Sequence, residues 1–251
     1  MTKSSQKKLI EKESKFCAEN YKPLPVVLCK GKGVWVWDTD GNKYLDMMSA
    51  YSAVSHGHSH PELIKVLHRQ SEVLGITSRA FYTDTLGAFL EKLVNISGLD
   101  IALPMNTGAE AVETAIKAAR RWAYKTKKVE ANKAEIIVAK GNFHGRTTTI
   151  ISFSTDEQSK EDFGPYTPGF VSIKYGCTES LKEAITKNTA AFLVEPIQGE
   201  AGIIIPEKEW LSEVRKVCTE NNVLLILDEI QSGLGRTGKM FAFEHSSIIP
   251  D

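Results

Sequence analysis

Four stretches of the sequence carry residue types and spacings suited to chemistry. In Asn106-Thr107-Gly108-Ala109-Glu110-Ala111 a hydroxyl precedes a carboxylate by three residues, the capping-box spacing at a helix start. Gly108 admits a ligand close to the backbone. The free N–H groups and dipole of such a helix favour a phosphate. An ordinary helix cap without a ligand carries the same signature. In Leu224-Leu225-Ile226-Leu227-Asp228-Glu229-Ile230-Gln231 a carboxylate follows an apolar strand, at the end where open α/β sheets bind ligands. A carboxylate there is costly unless it meets a cation, and a protonated pyridinium nitrogen would serve. Backbone N–H groups or a magnesium ion are the alternatives. Gly141-Asn142-Phe143-His144-Gly145-Arg146-Thr147 offers an aromatic face between glycines and an arginine fork for a carboxylate, or simply an exposed loop. Val194-Glu195-Pro196-Ile197-Gln198-Gly199-Glu200-Ala201-Gly202 places Glu195 and Glu200 near one rim, with solvated loop acids as the plain alternative.

Two further motifs point elsewhere and fall short. Gly233-Leu234-Gly235-Arg236-Thr237-Gly238-Lys239-Met240 approaches a nucleotide-binding P-loop, but Met240 has no hydroxyl for magnesium, and the acidic strand precedes the loop instead of following far downstream. His56-Gly57-His58-Ser59-His60-Pro61 alternates histidines, yet no nearby Cys, Asp or Glu completes a metal set. Pro61 reads as a first helical residue, so the histidines are assigned to capping or packing and no metal is expected.

The elements that must position these groups alternate. Val34–Trp37 and Lys43–Asp46 flank Asp40-Gly41-Asn42 as a hairpin. A loop of small residues and histidines runs from Ser49 to Pro61, and helical periodicity from Pro61 to Leu74. Further helices are predicted over Leu86–Asn95, Ala109–Lys125, Leu181–Ile185 and Glu207–Asn221, with a short, weak helix candidate at Phe241–His245. Strands are predicted over Ile101–Met105, Glu135–Ala139, Ala190–Glu195 and Val223–Leu227. Short, continuous apolar strands of this kind form parallel sheets covered on both faces by helices. Lys plus Arg and Asp plus Glu each number 31, so no net basic field favours nucleic acid. No apolar run spans a bilayer. The start, MTKSSQKKLIEKESKF, lacks the apolar core of a secretory signal and the arginine-rich, acid-poor make-up of a mitochondrial presequence, and reads as a solvated helix of a cytoplasmic protein. Cys17, Cys29, Cys177 and Cys218 are scattered, with no CxxC pair, which suggests neither a zinc site nor a disulfide framework.

Together, the strand-end loops supply a phosphate cradle, a stacking ring, a carboxylate clamp and an acid for a ring nitrogen. That set suits pyridoxal phosphate with an amino-acid substrate. At this point the residues resemble a known family, the fold-type I, class III aminotransferases, and within it the ornithine aminotransferases, from about Tyr21 to Asp251. Asn20-Tyr21-Lys22-Pro23-Leu24-Pro25-Val26, Ser49-Ala50-Tyr51-Ser52-Ala53-Val54 and Ser78-Arg79-Ala80-Phe81-Tyr82 carry the ornithine resemblance. Leu103–Gly108, Asn142–Thr147, Glu195–Gly202 and Asp228–Gly233 also match, and the last two kinds of motif are shared with acetylornithine and 4-aminobutyrate aminotransferases.

The resemblance implies roles. Asp228 pairs with the ring nitrogen, Gln231 with the ring 3-oxygen, and Phe143 stacks on the ring with His144 beside it. Thr107, Gly108 and Ala109 hold the phosphate. Tyr21 and Arg146 bind the α-carboxylate and α-amino end of ornithine, and Tyr51 lines the substrate channel. Glu200 masks a downstream arginine when ornithine binds and releases it for 2-oxoglutarate. The implied reaction moves the δ-amino group of ornithine to 2-oxoglutarate, giving glutamate and glutamate semialdehyde, which cyclises to pyrroline-5-carboxylate, in a homodimer. Another class III ω-aminotransferase, or a non-catalytic aminotransferase-like module, is the alternative.

The expected fold is α/β, a mostly parallel sheet flanked by helices, with an N-terminal segment of a small domain over residues 1–48 and an incomplete large domain over 49–251. The ending at Ile248-Ile249-Pro250-Asp251 is read as a truncation. The family's Schiff-base lysine is expected a few residues beyond it, so the chain alone is expected to be inactive.

Overall fold

The computed structural model describes residues 6–251. They divide by compactness between Tyr82 and Thr83.

The first unit opens with helix α1 (Gln6–Phe16); the Met1–Ser5 part of the expected helix lies outside the described residues. An antiparallel meander follows: β1 (Leu28–Lys32), β2 (Trp35–Asp38) and β3 (Lys43–Leu45). The β2–β3 hairpin stands where expected, with Trp37 opposite Lys43. β1 carries no sequence signal, because Cys-Lys-Gly-Lys interrupts any apolar alternation. Asp38 organises the turn, accepting the N–H groups of Asp40 and Asn42 (2.9 and 2.8 Å), the Asn42 amide and the Tyr44 hydroxyl (both 2.8 Å). Burial pushes the Asp38 carboxyl up, but these four bonds outweigh it and hold it at about 2.

His58 exchanges backbone bonds with Gly33 and meets Asp46 through Nε2 at 2.7 Å. It therefore has a packing role in this loop. Ser49, Ala50, Tyr51 and Ser52 all have positive φ (49°, 45°, 56° and 75°), one left-handed turn without glycine. Helix α2 (Pro61–Val73) begins on Pro61 at its first turn.

The second unit holds α3 (Leu86–Ser97), α4 (Gly108–Trp122) ending in a π-helical turn (Ala123–Lys127), β4 (Glu135–Ala139), α5 (Thr148–Ile151), β5 (Phe170–Ile173), α6 (Thr178–Ala184), β6 (Thr189–Val194), α7 (Trp210–Glu220) and β7 (Leu224–Leu227). The sheet is parallel with strand order β5-β4-β6-β7. Strand alternation divides its core between two helix layers. Ile137, Phe192, Val194 and Leu225 pack with α6 and α7, whereas Ile136, Val138, Ala191 and Leu193 pack with α4 and α5.

Ile101–Met105 is not a strand. Pro104 has no N–H to offer a ladder, and Ile101 and Leu103 are exposed. β5 and the single turn α5 were not expected. Gly233–Met240 is a series of turns closed by Gly235 N–H to Met240 O (3.1 Å), and only a 3-10 turn (Ala242–Ser246) follows. A P-loop needs an α-helix N-terminus there. Among the described residues no helix is long and apolar enough to cross a membrane.

Candidate active site

Because β4, β6 and β7 are adjacent and parallel, their carboxyl ends meet at one edge of the sheet. The loops they release, with the start of α4, line an open cavity. It is lined by Gly108 and Ala109 from α4, Phe143 and His144 after β4, Glu195 after β6, and Asp228 and Gln231 after β7. Six of the residues singled out for the cofactor are thereby brought together.

Thr107 caps α4: its Oγ1 accepts the Glu110 N–H at 3.1 Å, while Glu110 Oε2 accepts the Asn106 N–H at 2.8 Å. Thr107 stands at the rim and is not among the lining residues. The Gly108 and Ala109 N–H groups have no hydrogen-bond partner among the described residues. A Cβ on Gly108 would lie 2.8 Å from Cδ1 of Ile230, the tip of an exposed side chain, so this helix start and the β7 loop approach each other closely.

Asp228 is nearly enclosed, with 5% of its side chain exposed. Its Oδ1 accepts the Ile230 N–H at 3.0 Å, and its Oδ2 accepts from His144 Nδ1 at 2.7 Å. His144 has no exposed side-chain surface, and its Nε2 has no hydrogen-bond partner. Phe143 keeps 37% of its surface open and presents it to the cavity. The Arg146 guanidinium lies 5.7 Å from the Phe143 ring centre.

Arg146 and Glu200 line an adjoining cleft that shares Phe143, His144 and Gly145 with the cavity. Gln231 Nε2 donates to Glu200 Oε1 at 2.8 Å, so the residue expected at the ring 3-oxygen and the expected switch acid are directly coupled. Tyr21 and Tyr51 belong to the first unit, where their hydroxyls are hydrogen-bonded to each other.

Glu195 is the residue to which sequence reasoning gave no task. Its Oε2 accepts the Phe143 N–H at 3.2 Å, and it is buried. Burial pushes its carboxyl up, His144 and the Phe143 N–H pull it down, and the Asp228 and Glu200 carboxylates push it up again, leaving it at about 7. Its place at a strand end, next to a proline, was the only signal in the sequence.

Residues 16–251 match the family model described as aminotransferase class-III. The chain is 60% identical, over 243 residues, to an ornithine aminotransferase of Brevibacillus brevis, covering 97% of this chain and 61% of that protein. Its structure superposes with a TM-score of 0.98, at 43% identity, on the ornithine aminotransferase of Toxoplasma gondii, whose active site holds PLP at partial occupancy. That match covers 100% of this chain and 59% of that one. An acetylornithine aminotransferase of Elizabethkingia anophelis is similar at 45% identity and a TM-score of 0.86, covering 99% of this chain and 59% of that one.

Proposed function

Since the chain belongs to the class-III aminotransferases, spanning about 61% of the length of the Brevibacillus brevis relative, we propose that the protein containing it is an ornithine δ-aminotransferase using pyridoxal 5'-phosphate. The observation that carries the cofactor is Asp228, an enclosed carboxylate facing the cavity and fixed by His144. Such a group needs a cation, and a pyridinium nitrogen is one. The start of α4, with its two unpartnered N–H groups, suits the phosphate. When bound, pyridoxal phosphate supplies the electron sink that lets an amino group leave one carbon and join another.

The chain's own residues then divide the work. Asp228 would keep the ring nitrogen protonated, with His144 fixing the carboxylate. Phe143 would stack on the ring, and Gln231 would offer its amide to the ring oxygen. Thr107, Gly108 and Ala109 would take the phosphate at the helix start. Arg146 binds the α-carboxylate of ornithine as a two-pronged fork, with Tyr21 and Tyr51 assigned to the same substrate. Glu200, bonded to Gln231, is assigned the exchange of partners between ornithine and 2-oxoglutarate.

The ornithine preference rests on the 60% identity to a named ornithine aminotransferase. Supplying the full-length protein with ornithine and 2-oxoglutarate should produce glutamate and glutamate semialdehyde. Transfer from N-acetylornithine or 4-aminobutyrate, with none from ornithine, would overturn the substrate assignment. We also propose a homodimer, because α2 has no fully buried residue and leaves Leu63 and Leu67 more than half exposed.

A further inference from the structure

We propose that Glu195 receives the terminal ammonium of the amine substrate and takes one proton from it, a catalytic role that rests on the ω-amine reading given above. Two carboxylates line the cavity. Asp228 has both oxygens engaged, one by Ile230 N–H and one by His144. Glu195 has only Oε2 engaged, by Phe143 N–H, and no side-chain hydrogen bond reaches its Oε1 among the described residues. Asp228, bonded at both oxygens, is assigned to the ring nitrogen, whereas the Glu195 Oε1, with no side-chain partner among the described residues, is left for a second group entering the cavity.

The charges around it favour a cation. From the β4 loop, His144 and Phe143 N–H face Glu195, with Arg146 beyond the Phe143 ring. The β7 loop brings Asp228, and Glu195's own loop brings Glu200. From the β5–α6 connection, the Tyr175 hydroxyl donates to the Glu195 carbonyl at 3.1 Å. The acids raise the negative potential there, and a bound ammonium relieves it. Burial of a carboxylate beside an ammonium also favours neutralising both by proton transfer.

The step balances. One N–H bond of the ammonium breaks and its electron pair stays on nitrogen. An O–H bond forms on Glu195, so a carboxylate and an ammonium become a carboxylic acid and a free amine. The free amine is the nucleophile that transfer chemistry requires. A carboxyl poised at about 7 is matched to the task at neutral pH. Because its value is raised, Glu195 is ionised, and able to accept a proton, above that pH, and is lost as an acceptor below it.

The test compares full-length holoenzyme with its Glu195→Gln and Glu195→Asp variants. Gln still accepts the Phe143 N–H but takes no proton. In the wild type, kcat/KM for ornithine should fall roughly tenfold per pH unit below about pH 7. Glu195→Gln should lose that limb and fall by about 100-fold at pH 8, and Glu195→Asp should recover part of both. Infrared titration of the resting holoenzyme should show a carboxyl protonating near neutrality that is absent from Glu195→Gln. Retention of the acid limb or of that carboxyl in Glu195→Gln would overturn the proposal. A wild type that does not use ornithine at all would instead overturn the functional reading.

Discussion

His144 offers no surface to solvent, and its contribution runs through the 2.7 Å bond to Asp228. Replacing it by phenylalanine keeps most of the volume and removes that bond. A hydrogen bond to a charged group is worth about 1.5–3 kcal/mol, so pyridoxal phosphate should bind His144→Phe roughly tenfold to 100-fold more weakly. Equilibrium titration of the full-length protein measures this, and unchanged affinity would remove His144 from the cofactor's support. At this scale the sequence showed which residues stand at strand ends, because an apolar run followed by Asp228 or by Phe143 needs no third dimension to recognise. It could not show which groups share a charge environment. The charges facing Glu195 include Asp228 and His144, which only the pairing of β6 with β7 and β4 brings near it. The Gln231–Glu200 bond joins residues 31 apart and was equally invisible.

Among the elements, the turn that ends α4 widens into π geometry and brings Lys127 to the amino-terminal edge of the sheet. Its Nζ donates to the carbonyls of Thr189, Asn221 and Asn222 at 2.8, 3.3 and 2.7 Å. One side chain thus ties the start of β6 to the turn between α7 and β7, and burial pulls its amine below the ordinary value. Lys127→Met leaves these carbonyls without their donor. It should destabilise the full-length protein by about 1–3 kcal/mol, seen as a lower denaturant midpoint with unchanged substrate preference. An unaltered midpoint would mean water replaces the amine without loss. β4, β6 and β7 were legible to within a residue or two because strands buried on both faces are apolar throughout. β5 escaped notice as an edge strand broken by Ser172, and Ile101–Met105 imitated a strand without a partner to pair with.

For the molecule as a whole, the apolar stripe that α2 leaves open bears on assembly. Leu63 and Leu67 lie one turn apart and are 53% and 62% exposed. Light scattering on the full-length protein should give twice the chain mass, and Leu63→Glu with Leu67→Glu should shift it toward one. A monomeric wild type would mean that other parts of the full chain cover this face. The family relationship was legible from motif order alone, whereas surface coverage was not, since a helix pattern names an apolar stripe but not its neighbour. The left-handed turn at Ser49–Ser52 has a consequence for anyone selecting heat-resistant variants. Each such residue costs roughly 1–2 kcal/mol that glycine would not. Screens for thermal survival alone should therefore enrich glycine at Ser49 or Ala50 and, in the same step, loosen Tyr51, the tyrosine assigned to the substrate. Heat tolerance and substrate binding compete for the same four positions.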